Sequence, residues 1–216
     1  MKNSKEYAQK VQKLYRSLKR SRGKVEKVMY EDPVDALIYA VVSERLSEAE
    51  SQAALKRFRD YFVDWNELRV SRVEEIAEIL GVEESVARET AATLTRALMA
   101  VFKKYNVLSL ESLKKMGKRP ARQVLEKIEQ LSPYAIDYCM LTALKGHAIP
   151  LTERMIEYLK TNDLVHADAD RQQIEGFLAR LIPAAKAYEF YALLRYESEH
   201  RKTTGKAKVR KAKKKT

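Results

Sequence analysis

Ile128-Glu129-Gln130-Leu131-Ser132-Pro133-Tyr134-Ala135-Ile136-Asp137-Tyr138 is the stretch whose reading decides the fold. Ser132 offers a hydroxyl to free backbone N–H groups, and Pro133 carries the fixed φ that suits a first helical turn. The pair launches a helix that runs to about Lys145 and is ended by Gly146. A helix begun at Pro120 approaches from the other side and runs to Gln130, so the stretch joins two helices across a short turn. The same signature recurs upstream at Asp32-Pro33, followed by Val34, Leu37, Ile38, Val41 and Val42 on one broad apolar face.

Working outward, Ser47-Glu48-Ala49-Glu50 and Ser71-Arg72-Val73-Glu74 each read as a capping box that opens a helix. Leu80-Gly81 ends the second of these, and a long helix follows from about Glu84 to Tyr105. Ser109 to Lys115 gives a short helix ended near Gly117. Thr152 to Lys160, about Asp170 to Leu181, and a last helix from Pro183 complete the series, with a basic helical segment over residues 2–22 before it all. With 6 Gly and 5 Pro among 216 residues, turns are too few for a sandwich of short strands. No segment alternates at period two, so the expected class is all-α.

The formal net charge of +12 is concentrated at one end. Nine of those charges follow His200, where Arg201, Lys202, Lys206, Lys208, Arg210, Lys211, Lys213, Lys214 and Lys215 meet no acid. Such a segment buries too little apolar surface to offset chain entropy, and residues 201–216 are expected to form a disordered Lys/Arg-rich tail. A flexible cationic arm suits a phosphate backbone. With about six of its charges engaged on duplex DNA, log affinity would fall with log salt at a slope near −5. The plainer alternative is a solubility tail. The single cysteine, Cys139, lies in an apolar run and excludes an internal disulfide and any iron–sulfur cluster held by one chain. No run is long and apolar enough to span a membrane, and the N-terminus lacks a hydrophobic signal core, which places the expected protein in the cytoplasm, associated with the nucleoid.

Over roughly residues 30–200 the order of these pieces resembles the helix-hairpin-helix DNA glycosylase superfamily, in particular its endonuclease III branch. Asp32-Pro33-Val34-Asp35-Ala36-Leu37-Ile38 through Val42-Ser43 is similar to the family's opening helix, which ends in a serine. Leu108-Ser109-Leu110-Glu111-Ser112-Leu113 is like the leucine segment before the hairpin. The 128–138 stretch lies where the family places its leucine-proline-glycine-aliphatic-glycine hairpin. Gly146-His147-Ala148-Ile149-Pro150-Leu151-Thr152-Glu153-Arg154 resembles its valine-aspartate-threonine-histidine strip. The resemblance implies a two-lobed helical bundle over residues 1–200. Lobe A would hold about 30–50, 160–200 and the N-terminal helix, and lobe B about 51–150.

The departures bear on activity. The hairpin here has no glycine to admit a phosphate to its backbone, although the helix start at Ser132 still offers free donors. Where bifunctional members place a Schiff-base lysine, this chain has Ile136-Asp137, with Lys127 and Lys145 well to either side. Leu151 precedes Thr152 where the family has its catalytic aspartate, and leucine activates no water. Glu153 and Asp137 are the remaining candidate acids. The resemblance therefore implies a DNA-binding protein linked to or derived from base-excision repair, catalytically degenerate, cofactor-free and monomeric, acting on double-stranded, damaged or bent DNA. The alternatives are a glycosylase using a non-standard acid and an architectural chromatin-like protein.

The expected DNA contacts are Arg45, Ser132, Tyr134, Thr152 and Arg154, with Lys206, Lys208, Arg210, Lys211, Lys213, Lys214 and Lys215 of the tail. Arg45 either reaches into the base stack or pairs with Glu44 or Glu48 as a solvated loop residue. Tyr134 and Tyr138, at i and i+4, offer either a base-stacking face or half-buried core. His147, His166 and His200 show no ligand spacing, and Asp163, Asp168 and Asp170 lack the glycine and distal glutamate of a calcium loop.

Overall fold

The two cap-plus-proline signatures build the centre of the molecule. In the computed structural model, which describes residues 4–129 and 131–200, Asp32 accepts from the Val34 N–H and opens α2 (Pro33–Ser43). α1 (Ser4–Arg22) precedes it. Ten of the eleven α2 residues are buried, not the single face that its apolar spacing predicts. α8 (Pro133–Thr142), capped by Ser132, is buried at every position but Pro133. Helices apolar on all sides belong at the middle of a bundle, and these two pack on one another.

Between them in sequence lie α3 (Glu48–Tyr61), α4 (Trp65–Val70), α5 (Val73–Leu80), α6 (Glu84–Tyr105), a 3-10 turn at Glu111–Lys115 and α7 (Lys118–Glu126). The Ser47–Glu50 capping box is formed in full. The one expected at Ser71 is not. Arg72 stands at the start of α5 without a side-chain cap, and the Ser71 hydroxyl donates to the Glu67 carbonyl at the end of α4. α4 escapes a periodicity reading because six residues make less than two turns; it exists because Asp64 caps the Asn66 and Glu67 N–H groups. Gly81 ends α5 at φ +61°, in the left-handed region that favours glycine.

α7 starts two residues before Pro120, which leaves the proline in the first turn where no helical hydrogen bond needs its missing N–H. It ends at Glu126, short of Gln130. α8 stops three residues before Lys145. The Gly146 N–H then bonds the Met140 carbonyl at 2.6 Å, and a Cβ on Gly146 would lie 2.7 Å from Met140 Cε. Gly146 thus serves a close approach of chain to helix.

α9 (Glu153–Thr161), α10 (Arg171–Leu181) and α11 (Ala184–His200) finish the described chain. α1 and α9 pack on α11, α3 and α6 pack on α5, and α2 also meets α3 and α6. Among the described residues there is no strand, so the chain is all-α as its sequence predicts. No helix among them is long and apolar enough to cross a membrane. The expected tail at 201–216 lies outside the described residues.

Candidate functional site

The start of α8 is an anchor point for three other elements. Ser132 Oγ accepts from the Ala135 N–H at 3.1 Å and donates to Glu44 Oε2 at 2.7 Å, so one hydroxyl caps α8 and holds the residue that ends α2. Burial pushes the Glu44 carboxyl above its ordinary range; the Ser132 hydroxyl, Arg171 and Arg45 pull the other way and Glu153 adds to the rise. Glu50 makes an instructive contrast. It also accepts from a serine hydroxyl, but in the open, and there the hydrogen bonds from Ser47 hold it below its ordinary range. Desolvation decides the sign.

Arg171, the first residue of α10, reaches the other edge of the same place. It donates to the Leu151 carbonyl, to Glu153 at 2.6 Å and to Glu175 at 3.3 Å. Arg171 thus ties the 146–154 segment to the start of α10, and its charge is felt at Glu44 and Asp137 beside the α8 start.

The expected site residues fall into different environments. Asp137 is buried and accepts from Arg122 Nη1 at 2.6 Å; burial raises its pKa and Arg122 opposes the rise. Glu153 is 86% exposed at its side chain, in water and paired with Arg171. Leu151 is 0% exposed. Thr152 is a buried cap that accepts from the Met155 N–H, and Arg154 is exposed. Arg45 is exposed and pairs with Glu89 of α6 at 2.7 Å, rather than with Glu44 or Glu48. The tail lysines and arginines, Lys206 through Lys215, lie outside the described residues.

Tyr134 has no exposed surface, so its ring presents no face to a base. Its hydroxyl lies 3.0 Å from Ser43 Oγ, 2.8 Å from the Tyr191 hydroxyl and 2.8 Å from Arg195 Nη1. Tyr138 is buried too, stacked on Tyr39 with ring centroids 4.8 Å apart. Arg195, 2% exposed, spends all five N–H donors: on Tyr134, Tyr191, the carbonyls of Ser43 and Leu46, and Glu199. Beside this network a cavity of about 200 Å³ is walled by Tyr39, Tyr138, Tyr188, Tyr191 and Tyr196, with Glu48 at its edge.

A second concavity, about 390 Å³, runs between α6 and the segment after α7. Arg96, Lys103, Lys104 and Lys127 line it against one acid, Glu129. Burial pushes the Cys139 thiol up to about 12, which makes it an inert packing group. Asp170 caps α10 and Asp163 pairs with Lys10, so the acidic loop serves helix ends and ion pairs. Among the described residues no three His, Cys, Asp or Glu side chains converge as for a metal ion.

Sequence reasoning missed Glu44, Arg171, Arg195 and the basic groove. Two signals were present. Glu44 is an acid at a helix C-terminus, where the dipole favours cations. Arg195 continues the inward stripe of Tyr188, Tyr191 and Leu194, an arginine set where only apolar or fully bonded groups persist.

The bundle has the helix-hairpin-helix DNA glycosylase-like fold, and solved structures of that kind superpose over most of its length. A non-covalent endonuclease III–DNA complex matches with a TM-score of 0.69 at 15% identity, over 92% of this chain and 89% of that one. The Clostridium acetobutylicum 8-oxoguanine glycosylase/lyase, in complex with dsDNA containing cytosine opposite 8-oxoG, matches with 0.69 at 14% identity, over 92% and 71%. The H. pylori 3-methyladenine DNA glycosylase bound to 1,N6-ethenoadenine matches with 0.63 at 16% identity, over 89% and 97%. No family model and no curated protein matches the sequence.

Proposed function

We propose that this chain is a duplex-DNA-binding protein of the glycosylase type, related to base-excision repair, in which the positions of the family's usual lysine and aspartate no longer carry reactive groups. The observation that carries the reading is a groove of four cations, one wall of which is the segment 127–129 just before the α8 start. Arg96, Lys103, Lys104 and Lys127 suit successive phosphates, and the α8 start suits the backbone or sugar next to them. Tyr134 and Leu151 are both buried. The packing of α3 and α6 on α5, and of α1 and α9 on α11, supports a two-lobed division with α2 and α8 between. We assign the protein to the cytoplasm, at the nucleoid, as a cofactor-free monomer that favours damaged or bent duplexes.

Fluorescence anisotropy with a labelled duplex tests this reading. Binding should weaken with salt, and Lys103→Glu with Lys127→Glu should lower the magnitude of the log–log slope by about 2. The architectural alternative rests on the cationic tail alone. It predicts that deleting 201–216 removes nearly all binding and that the groove reversal changes nothing, and that pair of results would refute the present reading.

A further inference from the structure

A concavity of about 460 Å³ lies at the far end of α8 from Ser132. The helix has ten residues, and at 1.5 Å for each its two ends are about 15 Å apart. We propose that this cleft docks a partner protein, and that it takes a short acidic segment carrying one apolar side chain.

Three parts of the chain meet here, and each is fixed by a bond to another. Residues 23–30 form neither helix nor turn, and the Tyr30 N–H bonds the Thr142 carbonyl at 3.0 Å. That bond lays the extended stretch against the end of α8. The Tyr30 hydroxyl lies 3.3 Å from that of Tyr138, which anchors the same stretch in the bundle. From the other side Lys118 Nζ donates to the Leu144 carbonyl and ties the start of α7 to the residues after α8. Lys145 follows with a φ of 53° and an exposed side chain.

Two properties of the lining define the occupant. The first is charge: Lys114, Lys118 and Lys145 stand at the surface against one lining acid, Glu31. Lys114 also meets Glu111 at 3.7 Å, but an ion pair so exposed neutralises little. The cleft therefore attracts an anion. The second is apolar surface: Met29, among these lysines, is 39% exposed, with buried Leu144 in the same lining. A methionine is unbranched and adapts to apolar partners of differing shape.

A phosphate backbone would engage the lysines and leave Met29 uncovered. An acidic peptide with one apolar residue meets both demands, and the extended stretch 23–30 gives it a wall to run beside. The groove between α6 and the segment after α7 differs on this point. Its methionine, Met99, is already engaged by Arg69, whose Nη1 lies 3.5 Å from the sulfur. The two basic surfaces thus suit two kinds of partner, one phosphate-rich and one proteinaceous.

The test uses the full-length chain and two fluorescein-labelled peptides. One carries a leucine flanked on each side by three aspartates, and the other has serine in place of the leucine. Fluorescence anisotropy should show the wild type binding the leucine peptide at least tenfold more tightly. The charges of residues 201–216 attract both peptides alike, so the preference isolates the cleft. Met29→Ser should bring the two peptides within about threefold of one another. Lys114→Glu with Lys145→Glu should weaken the leucine peptide at least tenfold and leave duplex-DNA affinity within about threefold. Equal binding of the two peptides by the wild type overturns the proposal, and so does a preference that survives Met29→Ser. A loss of duplex affinity in the charge-reversed variant as large as its loss of peptide makes the cleft a nucleic-acid surface and overturns it too. Met29→Ser changes an exposed side chain outside every helix, so the peptide comparison stands even where the charge-reversed chain fails to fold. Neither peptide result depends on the chain binding DNA.

Discussion

α8 borders two polar clusters that are built on opposite terms. Within the bundle, Arg195 is surrounded by five acceptors, and the two tyrosines it bonds, Tyr134 and Tyr191, are buried. At the helix start, Glu44, Ser132 and Arg171 stand half in solvent, and the carboxylate is held by a hydroxyl rather than by a cation. A buried charge with every bond made holds elements in register, because any other arrangement strands it. A carboxylate desolvated but unpaired stabilises nothing by itself and remains available to a partner. The difference separates the part of this fold that keeps its shape from the part that can act.

The largest effect expected from that contrast is in the inner cluster. Arg195→Ala should cost roughly 3–5 kcal/mol in chemical denaturation, since it leaves Glu199, two tyrosine hydroxyls and two carbonyls without their donor. A cost below about 1 kcal/mol would show that the network is not structural. Tyr134→Phe removes one hydroxyl from the same cluster and should cost about 1–2 kcal/mol, with no change in affinity for duplex DNA, because that ring reaches no surface. Weaker DNA binding by a folded Tyr134→Phe would return the tyrosine to the interface and erase the distinction between the clusters.

The smallest effect belongs to the outer cluster and is read as a pH dependence. The folded state raises the proton affinity of Glu44 above its ordinary value of 4.5. The stability this contributes is complete below that value and is lost as pH rises through the raised one. Asp137 acts in the same sense, upward from 3.8. Wild type should therefore lose stability across this window more steeply than Glu44→Gln, whose amide is neutral throughout. Parallel profiles would mean that Glu44 is as well solvated as Glu50.

What the sequence made legible was local. Asp32-Pro33, Ser47 with Glu50, Ser132-Pro133 and Thr152 each mark a helix start through contacts within four residues, and each stands where its residues predict. α4 was illegible because six residues cannot establish a period, and Ser71 misled because its hydroxyl closes one helix instead of opening the next. The burial of α2 on every side was hidden because its apolar spacing was read as a single stripe. The site was the hardest part to read. The Ser132–Glu44 bond spans 88 residues, and the Arg195 bonds to Ser43 and Leu46 span 152 and 149. Such pairings depend on how helices dock, and no motif records that. Tyr134 shows the cost: at i, i+4 from Tyr138 it fits a stacking platform and a core equally well, and only packing decides.

Hydrogen exchange on the full-length chain, with and without a duplex carrying the tetrahydrofuran abasic analogue, tests the central claim most directly. Slowed exchange should appear in the peptides covering 127–137 and 43–46, where the α8 start meets the end of α2, with little change across α1 or the tyrosine-walled cavity. Protection confined to α1 or to residues 201–216, with 127–137 unmoved, would contradict the account and make the glycosylase-like bundle a passenger behind a basic arm.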